Sequence, residues 1–449
     1  MKQSLSNIGQ WIRSCIHGLL APVRSCGDKK CPAINLDNAA TTPPFKQVIC
    51  EIEKQMKWYG SIGRGKGQKS EHSTRIYMEG RELVKKFVGA QRDDYTAFYV
   101  NTTTEGINKL ASALVTKDDI VVSTRMEHHA NDLPWRMRCR TLYAEVLPDG
   151  RLNVDDLERL LKTYPVKIVT VTAASNVTGY INDVHKIARI AHQYGALIVV
   201  DGAQIVAHRA FNMIDGSDPL GNIDFFAFSA HKMYSPFGGG AVVGRKDILD
   251  QHVPHFYGGG MVETVNDESV CFLEAPDVYE AGSPNYPGVV GMLEAIRILD
   301  RIGFNYITQH EQNLMRKTIA GLRSIPGITL YGDNDRIADR VGIVIFNIDG
   351  YTPEETSELL ATYSGIASRH AAFCAHPYIR RLLHEPEDGC QHPVGMVRIS
   401  FGVYTSEAEI DCLIKTVRKI ATGKNLKQAP TDRLASNALS TKGVPYDRG

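Results

Sequence analysis

The sequence predicts an α/β protein: a large domain with a mostly parallel, seven-stranded sheet, followed by a smaller α+β domain. Between about residues 45 and 295, short β-branched runs alternate with helical periodicity or glycine turns, a pattern typical of a doubly wound sheet. After Pro287 the alternation stops, and long helical stretches are followed by well-separated strands. A chain of 449 residues also exceeds the size at which one core keeps growing, so two domains are expected.

Short apolar runs rich in β-branched residues mark the strands of the large sheet. We expect these strands at Thr96–Val100, Ile120–Ser123, Thr141–Val146, Lys167–Thr172, Ala196–Val200, Phe225–Ser229 and Gly240–Val243. Helical periodicity predicts helices at Thr104–Leu114, Val154–Thr163 and Val184–Tyr194. In the smaller domain, helices are expected at Gly288–Ile302, Tyr306–Ser324, Pro353–Tyr363 and Ser406–Ala421, and strands at Ile328–Tyr331, Val341–Ile348 and Val397–Phe401.

The same pattern predicts four segments. These are an N-terminal extension (1–32), a large domain (33–295), a small domain (296–423) and a polar tail (424–449). Within the large segment, residues 33–44 are expected to pack with the small domain. The extension is basic and contains serines, which is compatible with organellar import, although an amphipathic extension on a cytoplasmic protein is the interpretation that we favour.

Composition narrows the class of protein. A formal net charge of +1 gives no electrostatic reason to expect nucleic acid or an anionic membrane as partner. No apolar stretch is long enough to predict a membrane span. The nine cysteines are scattered without a CxxC motif, which suits neither a disulfide framework nor a zinc ribbon and favours a reducing compartment.

Two strand ends carry residues that indicate chemistry. The apolar run Phe225–Ser229 is followed closely by Lys232, and the run Ala196–Val200 is followed at once by Asp201. Burying an ammonium is costly unless it is paired or loses its proton, so Lys232 is either a surface residue or a deliberately desolvated amine. A lysine and an acid at strand ends of one sheet are the two groups that pyridoxal phosphate requires. The lysine attaches the cofactor, and the acid keeps its pyridine nitrogen protonated.

Hydroxyls follow the first strand, at the start of a helix. Thr103 and Thr104 belong to the run Asn101–Asn108, where free backbone amides at a helix N-terminus would suit a phosphate. An N-cap completed by Glu105 explains the same residues without a ligand. Beside Asp201 and Lys232, the phosphate interpretation is favoured.

Three further polar residues follow strands of the same sheet. His128 could lie over a cofactor ring and later move a proton. His128 and its neighbour His129 could instead bind a metal or be hydrogen-bonded loop residues; no third ligand lies at metal spacing, so we expect no metal. Asn176 could hold a substrate carboxylate or a ring hydroxyl, or it could be an ordinary turn residue, and the same alternatives apply to Gln204.

Several segments, in this order along the chain, resemble the class V aminotransferase family. The segments are Asn35–Thr41, Thr103–Asn108, Glu127–Asn131, Ser175–Val177, Val200–Gln204, Phe228–Lys232 and Glu280–Asn285. The resemblance runs from about residue 34 to 421 and is greatest to Suf-type cysteine desulfurases and selenocysteine lyases. It implies the fold of type I pyridoxal-phosphate enzymes and a homodimer.

The resemblance also implies a role for each matching residue. Lys232 would form the Schiff base, Asp201 would face the pyridine nitrogen, His128 would stack on the ring and Gln204 would bind the phenolic oxygen. The phosphate would be held by Thr103, Thr104, Ser229 and His231 of one subunit and by Ser283 of the neighbouring subunit.

The reaction depends on a different segment, in which Arg369, also expected to bind substrate, precedes Cys374 by five positions, as in the desulfurase loop. A thiolate is needed because sulfur must be taken as an electrophilic atom, and nearby cations would favour that thiolate. A buried structural cysteine is the alternative. Arg398, a solitary charge in the apolar strand, matches the family arginine that grips a substrate carboxylate through two parallel hydrogen bonds. Where the family loop has Thr-Gly-His-His before the cysteine, this chain has His-Ala-Ala-Phe.

These observations predict a cysteine desulfurase that converts L-cysteine into L-alanine and a persulfide on Cys374, with a possible sulfur-acceptor protein as partner. One rival is another class V reaction: selenocysteine lyase, another C–S lyase, an epimerase or a transaminase. A second rival is a non-catalytic sulfur-assembly partner, against which the joint presence of Lys232, Asp201 and His128 argues. A nicotinamide site is weaker still, because no GxGxxG motif follows the first strand.

Overall fold

The fold is described from a computed structural model, which covers residues 2–24, 30–63, 65–386 and 394–423. The tail predicted at 424–449 lies outside the described residues. Within the described ranges, seven strands form one large sheet. Their spatial order is Tyr95–Val100, Gly240–Arg245, Phe225–Ser229, Leu197–Asp201, Ile168–Thr172, Ile120–Thr124 and Arg140–Ala144.

The large sheet is mostly parallel, as predicted. Gly240–Arg245 runs antiparallel to both of its neighbours, and the other neighbouring strands pair in parallel. The seven predicted strands are all present, with ends that differ by at most two residues from those expected. Three of them are buried at every position, because helices cover both faces of the sheet.

Helices of the large domain begin where side chains cap them. Thr102, Asn153 and Asp183 each accept a hydrogen bond from a first-turn amide, which explains why helices begin directly after them. The helices between residues 46 and 302 are Lys46–Met56, Gln68–Phe87, Thr103–Leu114, Leu133–Arg136, Val154–Thr163, Val184–Gln193, Lys246–Leu249 and Tyr286–Ile302. Short 3₁₀ turns lie at His129–Asn131, Ile205–Ala207, Pro219–Gly221, Ala230–Lys232 and Asp277–Tyr279.

A second, antiparallel sheet lies in the C-terminal part of the described chain. Its strands, in spatial order, are Ile328–Leu330, Ile343–Ile348 and Val397–Ser400. The accompanying helices are Phe304–Arg323, Pro353–Ser364, His376–Leu383 and Glu407–Ala421. Capping boxes at Thr352 and Ser406 begin two of these helices. The helix His376–Leu383 was not expected from the sequence.

The N-terminal segment packs against the rest of the chain. Its helix, Lys2–Cys15, ends in residues that are buried in the main core, and Arg13 forms an ion pair with Glu409 at 2.9 Å. The strand Ile34–Asn35 pairs with Ile366–Ala367, and Leu36 is buried in the core beneath the second sheet. The proposed division into domains remains a prediction.

Two strand pairs complete the described structure: Pro22–Arg24 with Lys30–Pro32, and Val262–Val265 with Val270–Phe272. Among the described residues, no helix combines the length and the apolar character that crossing a bilayer would need.

Candidate active site

A cavity of about 490 Å³ lies at the carboxyl ends of the parallel strands. In a sheet of this kind, that edge is where ligands bind. Predicted site residues from both parts of the chain line it: Thr103, Thr104, His128, Asn176, Asp201, Gln204, Ser229, His231, Lys232, Arg369, Cys374 and Arg398. The structure therefore brings together residues that are almost 300 positions apart in the chain.

Lys232 and Asp201 lie in this cavity at the ends of adjacent strands. Lys232 closes the 3₁₀ turn Ala230–Lys232, which is held in place because the hydroxyls of Thr41 and Thr42 both donate to the carbonyl oxygen of His231. Burial lowers the pKa of the Lys232 amine to about 8, although Asp201 acts in the opposite direction. An amine with this pKa can lose its proton near neutral pH and act as a nucleophile or a base.

The carboxyl group of Asp201 is almost fully buried, with 4% of the residue exposed. One of its oxygens accepts a hydrogen bond from the amide of Ala203 at 2.9 Å. Burial raises its pKa, while the Ala203 amide and the charge of Lys232 favour the ionised form. A buried carboxyl group needs a cationic or proton-donating partner, so this position suits a protonated ring nitrogen.

The first turn of helix Thr103–Leu114 faces the same cavity. Thr102 is the N-cap, and its Oγ1 accepts from the amide of Glu105 at 3.1 Å. The amide of Thr103 donates to Ser229 Oγ at 2.6 Å, and the hydroxyls of these two residues are 2.7 Å apart. Capping and anion binding are therefore compatible, because Thr102 caps the helix while its neighbours line the cavity at the positive end of the helix dipole.

His128 is a neutral imidazole in the cavity wall. Its Nδ1 accepts a hydrogen bond from the amide of Ala130 at 3.0 Å, which leaves the single proton of the neutral ring on Nε2. Burial, and to a lesser extent the charge of Lys232, lowers its pKa to about 3. A flat neutral ring of this kind can stack on an aromatic ligand and donate from Nε2.

Glu127 is a buried carboxyl group beside the cavity that sequence reasoning missed. It accepts hydrogen bonds from the Thr124 hydroxyl at 2.7 Å, the Asn131 amide group at 2.7 Å and the Thr172 backbone amide at 3.1 Å. Burial raises its pKa to about 8 despite these bonds. They fix the segment that carries His128 to the neighbouring strand. The sequence signal that could have identified Glu127 is its position directly before two histidines.

Asp37 joins the two arginines that were predicted to bind substrate. It lies 3.1 Å from Arg398 Nη2 and 3.5 Å from Arg369 Nε. Arg398 also donates from Nη1 to the carbonyl of Asn176 at 2.8 Å, and its buried Nε has no hydrogen-bond partner among the described residues. Burial lowers the pKa of Arg398, whereas Asp37 raises it. Sequence reasoning missed Asp37, although it lies within the segment Asn35–Thr41 that carried the resemblance.

Cys374 lies on a segment whose backbone is held by distant residues. Asn176 Nδ2 donates to the carbonyl of Phe373, and the amide of His129 donates to the carbonyl of Cys374, each at 2.7 Å. The φ angles of Ala371, Phe373 and Cys374 are 78°, 50° and 55°, in the left-handed region that side chains disfavour. Cys374 itself is exposed and lines the cavity that contains Lys232.

The described geometry can be compared with known proteins. The family model for aminotransferase class-V matches residues 34–413. The chain belongs to this family. A curated relative, the cysteine desulfurase of Shigella sonnei, is 33% identical over 410 residues, which cover 89% of this chain and 96% of the relative.

Solved structures of class V relatives have the same fold. An apo cysteine desulfurase from Thermococcus onnurineus superposes with a TM-score of 0.79 at 30% identity, covering 87% of this chain and 95% of that chain. The cysteine desulfurase CsdA from Escherichia coli gives a TM-score of 0.78 at 27% identity, covering 92% and 98%. The predicted type I fold is confirmed.

Ser283 is the predicted site residue that lies apart from the main group, whereas Gln204 lines the main cavity. Ser283 is exposed and lines a separate cavity of about 70 Å³, together with Asn101 and Glu280. Its contact with the phosphate of a neighbouring subunit remains a prediction. Gln204 donates from Nε2 to the carbonyl of Ala39 at 2.9 Å, and its buried Oε1 has no hydrogen-bond partner among the described residues.

Proposed function

We propose that this class V enzyme is a pyridoxal-phosphate-dependent cysteine desulfurase, acting as a homodimer on L-cysteine. The main support is the presence of Lys232, Asp201 and Cys374 around one cavity, in a chain whose curated relative is named a cysteine desulfurase. The products would be L-alanine and a persulfide on Cys374.

The residues of the cavity fit pyridoxal phosphate. When bound, the cofactor would stabilise negative charge that develops at the substrate α-carbon. Lys232 would hold it covalently, Asp201 would keep its ring nitrogen protonated, and His128 would lie against the ring. The buried Oε1 of Gln204, which has no hydrogen-bond partner among the described residues, would accept a hydrogen bond from the protonated phenolic oxygen of the cofactor. The phosphate would be bound by Thr103, Thr104, Ser229 and His231 at the helix N-terminus.

Arg398 is the group that would bind the carboxylate of L-cysteine. Its buried guanidinium is oriented by Asp37 and by the Asn176 carbonyl, so little side-chain freedom remains to be lost when substrate binds. Its Nε, which has no hydrogen-bond partner in the described part of the chain, would supply a donor for the substrate. Phe373 lies under the guanidinium, with 4.8 Å between the Cζ atom and the ring centroid. Arg369, which is more exposed, would attract the carboxylate from the mouth of the cavity.

Lys232 and Cys374 would carry out different steps of the reaction. Lys232, with a pKa near 8 when it is a free amine, would remove the α-proton of the substrate. The Cys374 thiolate would then attack the substrate sulfur: an S–S bond forms, the Cβ–S bond breaks, and its electron pair stays with the substrate carbon. The carbon takes up protons to become alanine, and Nε2 of His128 is a suitable donor. Cys374 raises the pKa of Lys232, as expected for two groups that share one cavity.

Replacement of the nucleophile tests this proposal. Cys374→Ser should lower the production of alanine and sulfide from L-cysteine by about a thousandfold or more, because a serine hydroxyl cannot form a persulfide. The variant should still bind pyridoxal phosphate. Cys50→Ser, which changes an exposed cysteine on helix Lys46–Met56, is the matched control and should retain activity.

Wild-type turnover in Cys374→Ser would contradict the proposed role. A panel of amino acids, assayed for alanine, pyruvate, sulfide and selenide, separates the proposal from the other class V reactions. A purified protein that does not bind pyridoxal phosphate would instead support the non-catalytic alternative.

A further inference from the structure

Cys374 lies between two cavities. The first is the active-site cavity, and the second, which we call the outer cavity, has a volume of about 630 Å³. Thr104, His128, Ala130 and Cys374 line both of them and therefore form a shared wall. The remaining lining residues of the outer cavity are Asn108, His129, Leu133, Pro134, Met137 and Arg138.

The outer cavity has an apolar mouth and, among its described lining residues, one permanent positive charge. Leu133 and Met137, which line this cavity next to Pro134, are 44% and 52% exposed. No carboxylate is among its described lining residues. Arg138 is half-buried, and its side chain has no hydrogen bond or ion pair to any described residue. Arg136, two residues earlier, forms an ion pair with Asp132 at 2.9 Å.

The position of Cys374 suits transfer between the two cavities. Its backbone is fixed through the 2.7 Å hydrogen bond from the His129 amide, whereas its side chain is exposed. Rotation of the side chain alone would move a sulfur atom carried on Sγ from one cavity towards the other. Sulfur received on the Lys232 side could therefore leave on the Arg138 side.

We propose that the outer cavity binds a small thiol that carries a carboxylate, and that this thiol takes the sulfur from Cys374. The proposal rests on the proposed function, which supplies the persulfide. The acceptor thiolate attacks the terminal sulfur, so that a new S–S bond forms and the bond between that sulfur and Cys374 Sγ breaks. Cys374 leaves as a thiolate, the acceptor becomes a persulfide, and no external oxidant or reductant is needed.

Size and charge both favour a small anionic acceptor over a protein loop. A volume of about 630 Å³ falls within the range of about 300–1,000 Å³ that is typical of small-molecule sites. The carboxylate would pair with Arg138, and the carbon skeleton of the thiol would contact Leu133, Pro134 and Met137. An arginine at such a position is suited to a carboxylate because its planar group can donate two parallel hydrogen bonds.

The test loads Cys374 chemically, with inorganic polysulfide, so that it does not depend on catalysis. The holoenzyme is then treated with 3-mercaptopropionate or with the neutral 2-mercaptoethanol, and loss of sulfur from the Cys374 peptide is followed by mass spectrometry. We expect 3-mercaptopropionate to discharge wild-type protein faster, with saturation. In Arg138→Gln, the ratio of the two rate constants should fall by about tenfold, because one charge-assisted hydrogen-bonding partner is lost.

Two further variants complete the design. Met137→Glu should lower the same ratio by placing a carboxylate at the mouth of the outer cavity, whereas Arg140→Gln, at an exposed position outside the cavity lining, should leave it unchanged. An unchanged ratio in both Arg138→Gln and Met137→Glu would overturn the proposal. Faster discharge by a cysteine-containing peptide without acidic residues would assign the outer cavity to a protein loop and would also overturn it. Enzymatic loading with L-cysteine, run in parallel, tests the proposed function separately.

Discussion

The floor of the active-site cavity and the segment that carries Cys374 are built in different ways. On the floor, Asp201 is the last residue of its strand and Lys232 closes the short turn after the paired strand, so regular secondary structure places them. Cys374 is placed by hydrogen bonds from Asn176 and His129, which are far away in the chain, and by a left-handed backbone. The first region is therefore held by the sheet itself, and the second depends on a few long-range contacts.

The largest effect is expected on the floor. Asp201→Asn removes the carboxylate that would keep the ring nitrogen protonated, so we expect turnover to fall by about a thousandfold. Steady-state alanine production measures it, and Asp183→Asn, which preserves a helix N-cap at the surface, is the control. Retention of more than a tenth of wild-type turnover would show that Asp201 does not have this role.

Arg398 connects the two regions, because it belongs to the strand Val397–Ser400 and lies over Phe373. Arg398→Lys keeps the charge but loses the planar fork, so kcat/KM for L-cysteine should fall by about a hundredfold, mainly through KM. Arg323→Lys, at an exposed ion pair with Asp335, is the matched control. An unchanged KM would remove Arg398 from substrate binding.

The pKa of Lys232 predicts how cofactor attachment depends on pH. Burial lowers this pKa to about 8, and only the neutral amine is nucleophilic. The rate at which pyridoxal phosphate attaches to cofactor-free protein should therefore fall by about tenfold per pH unit below pH 8. Because Asp201 raises the pKa of Lys232, Asp201→Asn should shift the profile to lower pH. A profile that is flat between pH 6 and pH 9 would contradict the assignment.

The backbone of the Cys374 segment can be displaced without changing Lys232 or Asp201 on the floor of the cavity. A Cβ at Gly395 would lie 2.6 Å from the backbone carbonyl carbon of Ala371, so Gly395→Ala should displace the segment and slow persulfide formation by about tenfold. Gly350→Ala introduces a similar left-handed strain in open space and is the control. Pyridoxal-phosphate binding should survive in both variants. Equal persulfide formation in the two variants would show that Gly395 does not support the segment.

This contrast also explains how far the sequence could be interpreted. The seven strands, Lys232 and Asp201 were predictable, because a buried strand and its last residue are local patterns. Asp37 and Glu127 were missed as members of the site, because their importance comes from partners elsewhere in the chain: the two arginines for Asp37, and Thr172 among others for Glu127. The spacing of Arg369 and Cys374 was visible, but the left-handed backbone between them was not.

The smallest effect is expected at the position where the family loop has glycine. Ala371 has a φ angle of 78°, which costs an L-residue about 1–2 kcal/mol relative to glycine. Ala371→Gly should therefore raise the free energy of unfolding by about 0.5–1 kcal/mol, after the extra chain entropy of glycine is subtracted. Ala372→Gly, at a buried neighbour without a left-handed φ, should lower it. Denaturant unfolding distinguishes the two, and a loss of stability in both variants would contradict the strain argument.

One measurement tests most directly whether the floor and the Cys374 segment act as a single site. Holoenzyme is divided: one part is reduced with borohydride, the other is mixed with L-cysteine for a single turnover, and both are digested for mass spectrometry. The account predicts reduced pyridoxal phosphate on the peptide that contains Lys232 and one added sulfur atom on the peptide that contains Cys374. Cofactor on another lysine, or sulfur on another cysteine with Cys374 unmodified, would contradict it.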